Sequence, residues 1–156
     1  MPLGPQRLPI SFGAAPFSAS GGTESTATVG GQAYKFHKFT SSGTFEIKGK
    51  PHNIDVFVVA GGGSGGAPHG GGGGAGGVLW NSTSNHTLTN SAPELGVGSW
   101  TVTVGAGGAA PYNNGNVSSS VKGGTSYSAT AGGGGGNHTG PQPGRNGGSG
   151  GGGALP

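Results

Sequence analysis

The sequence predicts an all-β protein, a small β-sandwich with long glycine-rich loops and an extended N-terminal arm. Three observations lead to this fold class. Glycine supplies 41 of the 156 residues, several times its usual share of about 7%. Short runs of alternating apolar and polar residues, which are typical of strands, lead directly into glycine tracts. No window combines the periodicity of a helix with capping residues at its ends.

Residues 1–32 are predicted to form an extended arm, and residues 33–156 a glycine-rich β domain. Four prolines in the arm, at positions 2, 5, 9 and 16, disfavour a helix and favour extended backbone. Large apolar side chains are spaced along the arm, so we expect it to dock on another subunit; the alternative is a frayed terminus. These candidate attachment residues are Leu3, Leu8, Ile10, Phe12 and Phe17.

Four stretches of the β domain carry the strongest strand patterns. Residues 44–48 alternate between apolar and polar side chains. Residues 54–60 are apolar on both faces, which predicts a strand that is covered on both sides. Residues 100–104 alternate most regularly, and residues 125–131 do so more weakly. These strands are expected to supply the small core.

Glycine tracts follow three of these strands, beginning at residues 61, 105 and 132. The tracts are therefore expected to emerge together at one end of the sandwich. A glycine run can be a flexible loop, can let another backbone approach closely, or can form an extended helix of about three residues per turn. Such polyglycine II helices satisfy one another's backbone groups when several lie side by side. Packed polyglycine II helices, ordered irregular loops and disorder remain three alternatives for the tracts.

The charge and motif content argues against several classes of function. Only 7% of residues are charged and the formal net charge is +3, with no dense basic run, so nucleic-acid binding is not expected. No apolar run is long enough for membrane insertion. Gly61, Gly63 and Gly66 have the spacing of a dinucleotide fingerprint, but Pro68 and further glycines follow where that motif requires a helix. We expect no cofactor.

The sequence also offers little for catalysis or for a metal site. It contains four Asp and Glu residues, five histidines and no cysteine. The carboxylates can hardly supply a general acid, a general base and a binding site together, and no two histidines are closely spaced. We expect neither an enzyme nor a metal centre within one chain; the alternative is a metal shared by histidines across a symmetry axis.

Several motifs follow one another in a defined order: Gly43–Phe45, Asp55–Ala60 with glycines after it, Gly73–Val78, Trp100–Gly108 and Thr130–Gly134. Over roughly residues 33–153 this order resembles the glycine-rich domain of bacteriophage tail fibre and tail tip proteins. The resemblance implies a structural protein of the virion surface or tail, which is often oligomeric and contacts the host. The long shaft of many such fibres is not present in this sequence, which favours a small subunit docked on another virion protein.

The resemblance also implies recognition surfaces in the polar loops 81–97 and 111–122. The expected partners are other virion structural proteins through residues 1–32, further copies of the chain with a trimer favoured, and a host surface receptor or glycan. The alternatives are a capsid or tail decoration or cement protein without receptor binding, and a cellular extracellular filament subunit. The candidate recognition residues are Trp80, Asn85, His86, Tyr112, Asn113 and Asn114.

Overall fold

A computed structural model describes residues 15–50, 52–67, 69–81, 94–116, 118–122, 125–138 and 142–153. Within these ranges the secondary structure consists of strands, with no helix, which confirms the predicted all-β class. The strands are β1 (Ser18–Ser20), β2 (Thr23–Val29), β3 (Gln32–Lys38), β4 (Gly43–Lys48), β5 (His52–Asn53), β6 (Val56–Val59), β7 (Val78–Asn81), β8 (Glu94–Leu95), β9 (Gly98–Thr103), β10 (Ser118–Lys122) and β11 (Thr125–Ala129).

The main sheet has five antiparallel strands in the order β1, β4, β9, β10, β11. The alternation in β4 and β9 places Phe45 directly opposite Trp100 on one face of the sheet. These two side chains form the core with Ile47 and Leu95, and all four are buried. The indole nitrogen of Trp100 donates a hydrogen bond of 3.1 Å to the Gly96 carbonyl. The core is small, as the low apolar content predicts.

The β6–β7 ribbon forms a second layer against the main sheet, packing on β11. Val56, Val58 and Leu79 are half-buried, whereas Phe57 and Val59 point away from the sheet and are 65% and 50% exposed. The sequence pattern predicted cover on both faces of this strand. In the part of the chain that the structure describes, only one face is covered.

Strands β2 and β3 form a long hairpin outside the main sheet. Its turn is Gly30-Gly31, with φ values of 59° and 82°, as a two-residue hairpin turn of type I′ requires. The segment predicted as an arm therefore contains β1, which pairs with β4, and the whole of β2. Residues 1–14, including the candidate anchors at positions 3, 8, 10 and 12, lie outside the described residues.

Strands β6 and β7 run on into glycine tracts without a change of register. The partners in the strands are Phe57 with Trp80 and Val59 with Val78, and the same pairing continues through residues 60–66 and 71–77. The bonded residues are now three apart, which is the repeat of a polyglycine II helix and not the two-residue repeat of a strand. The hydrogen bonds run from Ala60 to Gly77 (3.0 Å), from Gly63 to Gly74 (2.9 Å) and from Gly66 to Gly71 (2.9 Å).

The tract that follows β11 lies at the centre of this bundle, and residues 131–137 are all buried. Its neighbours are the tracts 60–66, 71–77, 112–116 and 142–153, each of which hydrogen-bonds to it through the backbone. The three-residue repeat recurs at these contacts. Gly71, Gly74 and Gly77 donate to Gly136, Gly133 and Thr130, while Gly132 and Gly135 donate to Gly61 and Ser64.

Glycine is required in the bundle because the backbones touch. A Cβ on Gly133 would overlap the carbonyl oxygen of Arg145, and one on Gly66 would overlap the carbonyl oxygen of Gly136. No described glycine of the tracts has φ in the positive region, as expected for left-handed extended helices. Of the three alternatives for the tracts, the structure shows packed polyglycine II helices.

Replacing Gly133 by alanine is expected to lower the free energy of unfolding by about 3 kcal/mol or more, because neighbouring tracts must separate and lose hydrogen bonds. Gly72 is the matched control, since nothing lies within 4 Å of an added Cβ there. Gly72→Ala should be neutral or stabilise by about 0.5 kcal/mol through the unfolded chain. Chemical denaturation of both variants measures this difference. Equal losses of stability would contradict the packed bundle.

Candidate functional site

The outer face of the β6–β7 ribbon presents four large apolar side chains to solvent. Phe57 and Val59 alternate along β6, and their cross-strand partners Trp80 and Val78 alternate along β7. The rings of Phe57 and Trp80 meet edge to face with centroids 6.4 Å apart. The exposed fractions are 65% for Phe57, 50% for Val59, 60% for Val78 and 37% for Trp80. We call this surface the ribbon face.

The β2–β3 hairpin carries a second exposed apolar surface. The pairing places Ala27 opposite Tyr34 and Ser25 opposite Phe36 on one side of the hairpin. Tyr34 and Phe36 have ring centroids 6.2 Å apart, and both are exposed, as is Val29 near the turn. We call this surface the hairpin face. An isolated two-stranded hairpin is marginally stable in water, so contact with a partner would stabilise it.

The opposite side of the hairpin is polar. The Lys35 ammonium lies 2.8 Å from one oxygen of Glu24, and Nδ1 of His37 lies 3.7 Å from the other. The same His37 nitrogen is 2.9 Å from the carbonyl oxygen of Gly21, and its ring contacts Phe45 of the core. The hydrogen bond from Lys35 is the main cause that lowers the pKa of Glu24, and electrostatic interactions with Lys35 and His37 lower it further.

Three of the candidate recognition residues lie in the glycine bundle. Tyr112 has a positive φ of 49°, and its amide donates to the Gly65 carbonyl. The Asn113 side chain donates to the Ala109 carbonyl at 2.9 Å. The Asn114 side chain accepts from the Gly134 amide at 2.9 Å and donates to the Asn146 carbonyl at 3.2 Å. Both asparagine amides therefore hydrogen-bond to the backbone of the bundle.

The structure does not bring all the candidate recognition residues together. Trp80 pairs with Phe57 at the sandwich end of the ribbon, whereas Tyr112 bonds to Gly65, eight residues further along the same extended chain. At about 3.1 Å per residue this places them roughly 25 Å apart. Asn85 and His86 lie outside the described residues, and Phe17, 38% exposed, immediately precedes β1.

Sequence reasoning missed both exposed faces as surfaces. The signal for the ribbon face was present, because residues 54–60 are apolar on both sides. The signal for the hairpin was the Gly-Gly pair at positions 30 and 31, which separates two short runs of β-forming residues.

The described residues form no group of three or more potential metal ligands. His69 and His138, from two different tract ends, meet edge to face with centroids 6.0 Å apart. In the described part of the chain there is no helix long and apolar enough to cross a membrane. The distinctive features are thus the bundle and the two apolar faces.

A family model described as a glycine-rich domain matches residues 39–156, which is most of the chain. Comparisons with curated proteins and with solved structures gave no match. The matched region contains the ribbon face and the glycine bundle. The β2–β3 hairpin precedes it and lies outside the domain that the family model describes.

The lowered pKa of Glu24 predicts a pH-dependent hairpin. A carboxylate whose pKa falls on folding stabilises the fold above its ordinary value of 4.5, and this contribution is lost as the pH falls through the lowered pKa. Both side chains are about half exposed, so the effect should be small and weaker in high salt. An NMR titration measures the pKa of the Glu24 carboxyl group. In the control variant Lys35→Met this pKa is expected to return towards 4.5. An unchanged pKa in that variant would contradict the ion pair.

Proposed function

The chain belongs to the glycine-rich domain family, and we propose that it is a structural subunit of a virion surface appendage such as a bacteriophage tail fibre. The observation that supports this most directly is the polyglycine II bundle, whose central tract is buried and hydrogen-bonded on all sides. Such a bundle is stiff and almost uncharged. It suits a mechanical or presenting role better than the binding of a small molecule, and it accords with the motif order that resembles tail fibre proteins.

We further propose that the N-terminal region attaches the subunit to another virion protein. The β2–β3 hairpin lies outside the family domain and carries an exposed apolar face with Tyr34 and Phe36. Its other side is held by the pair of Glu24 and Lys35, so the apolar side is the one available for docking. The attachment residues expected before position 15 lie outside the described residues.

The end of the bundle is the proposed host-facing surface. Two connections lie at the end of the bundle that is remote from the sandwich. One joins the paired tracts 60–66 and 71–77 and contains His69, and the other is the turn that carries His138. Apart from Gly70, where an added Cβ would overlap the backbone of Gly66 and Gly136, we expect these connections to tolerate variation, as recognition loops on a scaffold do. A receptor or glycan would meet them there.

A decoration or cement protein that binds no receptor is the second candidate. The hydrogen bonds of Asn113 and Asn114 favour this candidate, because their side-chain amides already bond to backbone groups of the bundle. In that case the hairpin face would be the functional surface and the bundle would serve stability alone.

Immunoelectron microscopy of virus particles from cells that carry this gene tests the virion role. Antibody raised against the full chain is expected to label particle tails or surfaces. Label at the tail tip would favour the fibre subunit, and label spread over the capsid would favour the decoration protein. Label confined to cellular filaments, with none on particles, would refute a virion function.

Attachment can be tested separately, by adding purified protein back to particles that lack it. Combined Tyr34→Ser and Phe36→Ser substitutions should reduce particle binding at least about tenfold, because they remove the apolar contact of the hairpin. Tyr112→Ser, which removes an aromatic ring from the bundle, is the matched control and should bind like the wild type. Equal binding by all three proteins would exclude the hairpin face as the attachment surface.

A further inference from the structure

The ribbon face is apolar although it lies on the outer side of the sandwich. The outer side of a two-layered antiparallel sandwich is normally polar, since only the inner sides meet in the core. Here the inward residues Val56, Val58 and Leu79 are half-buried, and Val56 packs against that core, while the four outward residues of the ribbon face are also apolar. The four outward side chains of the ribbon face therefore have the composition of a second buried layer, which the described residues of one copy do not complete.

The chemistry of the face specifies an apolar partner. Its four side chains include two aromatics and no charge or hydrogen-bonding group other than the indole N–H of Trp80. Such a composition matches the centre of protein interfaces, where aromatics are enriched and charges depleted. The exposed area is roughly 400 Å², about half of the 800 Å² or so that each partner buries in a standard interface. The face is thus large enough to form the centre of a stable interface.

The face is also complementary to itself. Phe57 and Trp80 form a large aromatic pair at one end, and Val59 and Val78 form a smaller pair at the other end. If two ribbons stack face to face about a twofold axis perpendicular to their strands, the aromatic pair of each copy lies over the valine pair of the other. Large side chains then meet small ones, as close packing of two sheets requires.

We propose that the ribbon face is the interface between two copies of this chain, related by a twofold axis that lies between the two faces and runs perpendicular to their strands. The proposal departs from the trimer expected from the sequence, since a twofold interface pairs two copies, and it does not rest on the proposed virion role. It differs from the attachment role of the hairpin face, which lies outside the family domain and would remain free for a virion partner.

The full chain, of 14.7 kDa, is the material for the test, in sedimentation velocity over a range of concentrations. The wild type should sediment as a dimer or an even multiple. Phe57→Ser should raise the dissociation constant at least about 30-fold, the loss typical of a central aromatic in an interface. Phe36→Ser removes another exposed phenylalanine ring, 45% exposed against 65% for Phe57, from the hairpin face and should leave the mass unchanged. Circular dichroism should show the wild-type fold in both variants, because both side chains lie on the surface of one copy.

Tryptophan quenching gives a second readout. Trp100 is buried and Trp80 is 37% exposed in one copy, so acrylamide should quench about half of the emission of a monomer and less in the dimer. Phe57→Ser should therefore increase the quenched fraction at a concentration where the wild type is dimeric. Val59→Thr, which keeps shape but adds a hydroxyl, should weaken the dimer by a smaller factor.

Each outcome bears on the inference. A wild-type monomer, a trimer, or an oligomer whose mass is insensitive to Phe57→Ser would overturn it, and the last result would leave the proposed virion role untouched. Vesicle or glycan binding that is lost in Phe57→Ser, by a protein that stays monomeric, would assign the face to that ligand and would also overturn the inference. Loss of self-association together with normal attachment to particles would support both proposals.

Discussion

The fold depends on one constraint, that the backbone groups of a fully buried glycine tract must all find partners. Residues 131–137 lie inside a ring of other tracts. Gly132, Gly133, Gly134 and Gly136 each use both their amide and their carbonyl in hydrogen bonds to different neighbours. A buried peptide group without a partner would be costly, so the central tract can be ordered only if its neighbours are in place. The bundle therefore forms as a unit, and its glycines are a requirement of close contact.

The strands align these glycine tracts with one another. A polyglycine II helix has no side chains with which to fix its register against a neighbour, since successive residues are identical. The register is set in the sandwich, where Phe57 pairs with Trp80 and Val59 with Val78, and it is passed on unchanged to Gly63 and Gly74. The sandwich with its small apolar core around Ile47 and Trp100 thus sets the register of glycine tracts that extend well beyond that core. Asn114 assists by linking two tracts through its amide.

Local sequence pattern predicts much of this architecture, whereas the packing between distant segments cannot be predicted from local pattern. The alternation around Phe45 and Trp100 predicts strands, and the position of the glycines after strands predicts where the tracts emerge. Whether the tracts pack could not be decided from sequence, because the deciding hydrogen bonds join residues such as Gly74 and Gly133 that are far apart in the chain. The β2 strand, from Thr23 to Val29, falls within the predicted arm, because the prolines from which the arm is predicted all precede it. The candidate recognition residues stay a prediction, since the same loop positions can either hold a scaffold together or meet a partner.

The bundle also gives this protein an unusual response to temperature. The heat capacity change of unfolding arises from newly hydrated surface, and apolar surface raises it while polar surface lowers it. Melting the glycine tracts exposes mainly peptide groups, so the bundle should contribute little to the heat capacity change, or even reduce it. A small heat capacity change flattens the curve of stability against temperature. A protein held together by peptide hydrogen bonds, with only a small apolar core, would then weaken less on cooling than one that relies on hydrophobic burial, and would keep its shape over a wide range of environmental temperatures.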